Sequence, residues 1–83
     1  MARIRTPSAE THAGEIAQAV RAEMARRGMT QERLAEHLGW TQRKLSYRLT
    51  ADSAFRADEL VAIAAALDVP MASLLPAETR AAS

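Results

Sequence analysis

Apolar positions recur along most of this chain at steps of three and four, the period of an amphipathic helix. Ala13, Ile16, Ala17, Val20 and Met24 mark a first helix. Ser8 or Thr11 offers a cap for its start, Arg26 and Arg27 suit the negative end of its dipole, and Gly28 offers a left-handed stop. Thr30 opens a second helix, with its hydroxyl placed to accept an orphan backbone N–H, Glu32 in the first turn, Leu34, Ala35 and Leu38 facing inward, and Gly39 at the end. Thr41 is the natural N-cap of a third, in which Leu45 and Leu49 form the inward pair. Ala51 to Ala54 reads as a loop. The fourth helix is the clearest: Leu60, Ile63, Ala64 and Leu67 share one face, and Phe55 and Leu60 stand at the spacing of a hydrophobic staple with Glu59 inside the first turn. Asp68 to Pro70 breaks it, and Met71 to Leu75 predicts a short fifth helix before Pro76.

The fold class that follows is all-α. A compact five-helix bundle is expected over residues 8–76, between a flexible arm at 1–7 and a flexible tail at 77–83. No strand, internal repeat or low-complexity segment is visible, and few β-branched residues and three aromatics leave strands little to pack.

Composition narrows the function. Eighty-three residues make one small domain, and 48% hydrophobic with 25% charged residues is a globular balance. The absence of cysteine excludes disulfides, thiolate metal sites and a cysteine nucleophile, and suits a reducing cytoplasm. The longest apolar run, Leu60 to Leu67, falls far short of the ~20 residues that span a bilayer. No apolar stretch follows the basic residues at the start, so neither a signal peptide nor a membrane partner is expected. An enzyme is not expected either: there is no glycine-rich phosphate loop, no histidine metal motif and no nucleophile beside a base. A helical body this small offers little room for a ligand pocket of ~300 Å³ or more. Metal and cofactor are expected to be absent. His12 and His37 share no ligand spacing and read as surface histidines, and Met24, Met29 and Met71 as core fillers.

The net charge is only +1, but the chain is polarised. Residues 1–25 balance, residues 26–48 carry +4 through Arg26, Arg27, Arg33, Arg43, Lys44 and Arg48 against Glu32 and Glu36, and residues 49–83 carry −3. A basic middle is either a local polyanion site or a solvated arginine-rich surface.

The second and third helices decide between these readings. They are joined by Gly39-Trp40-Thr41, a turn too short for antiparallel packing, so the helices cross steeply. Ala35 lets the third helix approach, and Leu34, Leu38, Leu45 and Leu49 close the corner. Such a helix-turn-helix holds one helix proud of the body, thin enough for the ~12 Å major groove of B-DNA. In the third helix Gln42, Arg43, Ser46, Tyr47 and Thr50 fall within an arc of about 140° and include no carboxylate. Arg43 and Lys44 stand at the positive end of the helix dipole, each at a cost on the order of 0.3–1 kcal/mol, and a phosphate backbone would supply the missing negative charge.

The stretch TQERLAEHLGWTQRKLSYRL resembles the helix-turn-helix of the lambda-repressor-like, or Xre-type, regulators. The likeness rests on Gln31, Ala35, Gly39 and Leu45 at their joint spacing, continues through RADELVAIAAALDVPMASLL, and covers roughly residues 13–75. Two positions depart from the family pattern: Arg48 replaces a usual apolar core residue, with Leu49 taking that place, and Ala51 stands where a glycine often ends the third helix. The resemblance implies sequence-specific binding of double-stranded DNA by a transcriptional regulator, a repressor in the simplest case. It also implies phosphate-positioning roles for Gln31 and Thr41.

From their chemistry, Gln42 and Arg43 are the expected base-edge readers, with Ser46 and Tyr47 as second-rank contacts. Lys44 and Arg56 are expected at phosphates, and Arg3 and Arg5 would reach along the duplex as an arm. Tyr47 is equally readable as a wet surface aromatic. Trp40 reads as a core plug and Arg48 as a snorkelling or salt-bridged structural residue. A lone domain reads few base pairs, so a homodimer is expected, docking through Met71, Leu74 and Leu75 and the tail. The alternative is a protein-binding module, such as an antitoxin or anti-repressor, with a protein partner on the acidic C-terminal half.

Overall fold

Helix α1 (Ala9–Arg27) runs for about 28 Å along one side of the molecule. Three shorter helices follow: α2 (Gln31–Leu38), α3 (Gln42–Leu49) and α4 (Ala57–Leu67). The computed structural model describes residues 9–76, with side chains from His12 onward. The expected arm with Arg3 and Arg5, the Ser8 cap and the tail from Ala77 therefore lie outside the described residues. Thr11 falls within α1, which already runs from Ala9, and so is not its N-cap.

The expected fifth helix is a correction. Met71–Leu74 makes a single 3-10 turn, so the described residues hold four α-helices. Pro70 and Pro76 bracket too few residues for α-helical hydrogen bonding to become established. This turn is nonetheless part of the core. Leu74 is fully buried, and Met71 and Leu75 pack partly buried against it. Leu74 is thereby removed from the expected apolar docking surface, whereas Met71 and Leu75 stay partly exposed. The side chains that looked spare near the end of the chain plug the gap between α1 and α4, both of which the turn contacts.

One core serves all five elements. Val20, Leu34, Leu45, Leu49, Ile63 and Leu67 are almost wholly removed from water, and each contributes roughly 1.5–3 kcal/mol of burial. Met24 completes this core, and Trp40 and Phe55 pack against its margin. Helix α3 rests on both α1 and α2.

The helix ends follow from local chemistry. Thr30 and Thr41 each cap a helix, their hydroxyls accepting the backbone N–H of Arg33 and Lys44 at 3.1 Å. Gly28 and Gly39 take positive φ, 63° and 70°. After Gly39 the N–H of Trp40 reaches back to the Ala35 carbonyl at 3.0 Å, which closes α2 and starts the turn. Arg27 ties two ends together: its guanidinium donates to the carbonyls of Leu67 and Asp68 at the end of α4. Arg21 does the same for α3 by donating to the Leu49 carbonyl. Both long arginines therefore satisfy C-terminal carbonyls of other helices.

At the end of α3 the chain needs a left-handed residue and has alanine: Ala51 sits at φ 63°. A Cβ in that region costs roughly 1–2 kcal/mol, part of which glycine would give back as unfolded-state entropy. Ala51→Gly is expected to stabilise the fold by about 1 kcal/mol, raising the melting temperature by about 4–8 °C. A thermal melt with an unchanged or lower midpoint would contradict this.

Candidate nucleic-acid interface

Helix α3 has three faces. Leu45 and Leu49 point into the core, at 0% and 1% exposure. Lys44 and Arg48, one turn apart, form a flank directed at α4. Gln42, Arg43, Ser46, Tyr47 and Thr50 lie outward, with Ser46 half-buried and the others exposed.

The flank is held by one carboxylate. Glu59, in the first turn of α4, is 7% exposed and is the one buried charged residue of the described core. Its two oxygens accept the Arg48 Nε–H at 3.0 Å and the Nη2–H at 3.1 Å, a bidentate fork. The Lys44 ammonium lies 3.3 Å from Oε2. The backbone N–H of Arg56, the N-cap of α4, donates to Oε1 at 2.9 Å. The same carboxylate thus starts α4 and fastens α3 to it. The hydrogen bonds from Arg48, with smaller help from the Arg56 N–H and from Lys44, overcome the penalty of burial and hold the Glu59 carboxyl at about 2.

Expectation and structure part at Lys44. Its unfavourable place beside the helix dipole finds its negative charge within the chain, at Glu59. Its ammonium also lies over the Trp40 ring, 4.2 Å from the centroid. Trp40 is therefore a half-buried wall under a lysine as well as a plug against the core. Arg48 is salt-bridged, as its reading as a structural residue had it.

Arg43 is placed differently. Among the described residues it meets no carboxylate; its Nη2–H donates to the Tyr47 hydroxyl at 3.1 Å, and its guanidinium carbon lies 5.5 Å from the Tyr47 ring centroid. The Gln42 side chain makes no hydrogen bond within the described residues and is exposed. Thr50 turns back: its single hydroxyl proton has three acceptors within reach, the Ser46 and Tyr47 carbonyls and Asp52 Oδ2, at 3.1, 3.3 and 2.9 Å. The outward face thus narrows to Gln42, Arg43, Ser46 and Tyr47.

The expected phosphate residues surround this face. Gln31 is exposed at the start of α2. The Thr41 hydroxyl accepts the Lys44 N–H and keeps its own proton for an outside acceptor. Arg56 is exposed at the start of α4, where its Nε lies 3.3 Å from Asp58 Oδ1. An open cleft of about 310 Å³, larger than a body this small was expected to offer, lies between Trp40, Lys44, Arg56, Asp58, Glu59 and Ala62. Among the described residues no group of acidic and histidine side chains could hold a metal ion, and no helix is long and apolar enough to cross a membrane.

Sequence reasoning placed Glu59 only as a helix-start residue and missed the pair it makes. Arg48 and Glu59 are eleven residues apart on different helices, so no periodicity joins them. The usable signal was Arg48 itself, a cation at a position where the family pattern is apolar.

Residues 15–77 match the family described as a helix-turn-helix domain, and the chain belongs to that family. Three solved structures share the fold. The DNA-binding domain of BldD superposes with a TM-score of 0.74 at 21% identity, covering 83% of this chain and 100% of that one. The restriction-modification controller protein C.AhdI from Aeromonas hydrophila gives 0.71 at 21%, covering 76% and 96%. The hypothetical transcription factor NHTF from Neisseria gives 0.75 at 23%, covering 99% and 95%. No curated protein matches the chain.

The depressed carboxyl makes stability depend on acid. Glu59 contributes stability in full above the ordinary value of 4.5 and loses it as the pH falls toward about 2. The loss is on the order of 2–3 kcal/mol. Glu59→Gln is expected to be less stable than the parent at neutral pH, with the difference shrinking between pH 4.5 and 2. Urea melts across that range check it, and a pH-independent difference would contradict the assignment.

Proposed function

We propose that this protein binds double-stranded DNA sequence-specifically and regulates transcription, acting as a repressor that occupies its site as a dimer. The carrying observation is the outward face of α3, which has no carboxylate and presents one arginine unneutralised by any acid among the described residues. The family to which the chain belongs supports the same reading.

In this reading α3 lies in the major groove. Arg43 donates end-on to guanine O6 and N7, and Gln42 pairs with adenine. Ser46 makes a further base or sugar contact through its hydroxyl, and Tyr47 makes one through the apolar edge of its ring, its oxygen being engaged by Arg43. Gln31, Thr41 and Arg56 place phosphates from three different helix starts, where backbone N–H groups and the dipole favour anions. Lys44 reaches a phosphate only at the edge, because its ammonium is shared with Glu59 and Trp40. Repression needs nothing beyond occupancy that blocks polymerase. Two copies on a two-fold site would stand about one helical turn, ~34 Å, apart. Leu74 serves the core and takes no part in their contact, which leaves the partly exposed Met71 and Leu75 for it.

Selection of bound duplexes from a random pool is expected to return a two-fold motif. Affinity for it should fall steeply with salt. Arg43→Ala is expected to cost ~1–3 kcal/mol and to relax preference at one base position in each half-site. A protein with no sequence preference and no salt dependence would move the weight to the protein-binding alternative.

A further inference from the structure

We infer that Tyr47 is a positioning residue for Arg43: a neutral clamp that aims the guanidinium outward without cancelling its charge. This rests on the reading of α3 as the DNA-facing helix and specifies how that helix gains selectivity.

The cations around the interface differ in what holds them. Arg48 and Lys44 are neutralised by Glu59, and Arg56 faces Asp58. Arg43 alone of these four is held by an uncharged group, one helical turn away. Two contacts act together, the Nη2–H donated to the phenol oxygen at 3.1 Å and the guanidinium carbon 5.5 Å from the ring centroid. A hydrogen bond fixes direction, and the ring face favours a cation.

The donor inventory leaves the arginine competent. Guanidinium has five N–H groups, and the phenol takes one on Nη2. Four remain: the Nε–H, two on Nη1 and the second on Nη2. One from each Nη nitrogen is what end-on recognition of guanine requires. A carboxylate in the place of the phenol would hold the arginine as well, but it would carry negative charge to the phosphate backbone and satisfy the guanidinium before DNA arrived. Tyrosine orders the side chain ahead of binding, which reduces the rotamer freedom lost when a base is engaged.

Tyr47→Phe tests this, since it removes the oxygen and keeps the ring. Tyr47 is exposed, so the fold should be indifferent to the change. Selection from random duplexes is run with the parent, Tyr47→Phe, Arg43→Ala and the double variant. Arg43→Ala defines the base position that Arg43 reads. Tyr47→Phe is expected to weaken preference at that same position by about three- to tenfold and to leave other positions and the salt slope unchanged. The double variant should match Arg43→Ala. In the free protein, NMR relaxation of the Arg43 Nε–H group should show a side chain more mobile in Tyr47→Phe than in the parent.

A Tyr47→Phe protein with full preference at the Arg43 position, or with loss at a different position, overturns the clamp while leaving DNA reading by Arg43 intact. An Arg43→Ala protein unchanged at every position overturns the DNA reading of α3 and the clamp with it. Equal Arg43 mobility in the parent and Tyr47→Phe overturns the clamp irrespective of DNA.

Discussion

The Glu59 carboxylate is the constraint on which the geometry of α3 depends. An eight-residue helix has little stability of its own in water, so its neighbours must hold it. Leu45 and Leu49 fasten it along one line by burial, which is strong but does not by itself resist rolling. The fork from Arg48 to Glu59 fastens a second line, on the flank, and two lines fix the rotation of a rod. An ion pair this buried gains little net stability over an apolar pair of the same volume. Its worth lies in direction: bidentate geometry accepts few orientations, and the Arg56 N–H anchors the same carboxylate to the first turn of α4.

That arrangement also sorts charge. The basic middle of the chain is not a uniform patch. Its cations divide into those spent inside the protein and those left outward. Lys44 and Arg48 balance Glu59, Arg26 and Arg27 lie beside Glu23, and Arg27 further serves the carbonyls at the end of α4. Arg43 is left with a phenol. A helix whose first turn breaks the dipole rule with two cations thus has one of them compensated from within. The remaining one is the point at which a polyanion would complete the electrostatics.

The legible part of the fold was the part decided over four or five residues. Thr30 and Thr41 as caps, Gly39 as a stop, the apolar stripe of α4 and the staple position of Phe55 depend on bonds or contacts within one helical turn. The outward arc of α3 followed from the helical period once Leu45 and Leu49 were assigned inward. The expectation at Leu74 failed for the corresponding reason. Local pattern showed apolar residues next to the end of the chain, whereas the burial of Leu74 depends on a space between α1 and α4 that no local pattern describes. Helix type there was equally out of reach, because two prolines limit the hydrogen bonds more tightly than the apolar spacing indicates.

By itself, the sequence determined the helices of the described residues, the short turn from Gly39 to Thr41 that joins α2 to α3, and the outward placement of Gln42, Arg43, Ser46 and Tyr47. Each of these follows from near-neighbour sterics and from a period of 3.6 residues. Only the tertiary structure decided which cations are neutralised, that Arg21 and Arg27 close the ends of helices other than their own, and that Leu74 belongs to the core. Those outcomes depend on pairing between groups far apart in the chain, and Coulomb and burial energies act on distance in space rather than on position in sequence.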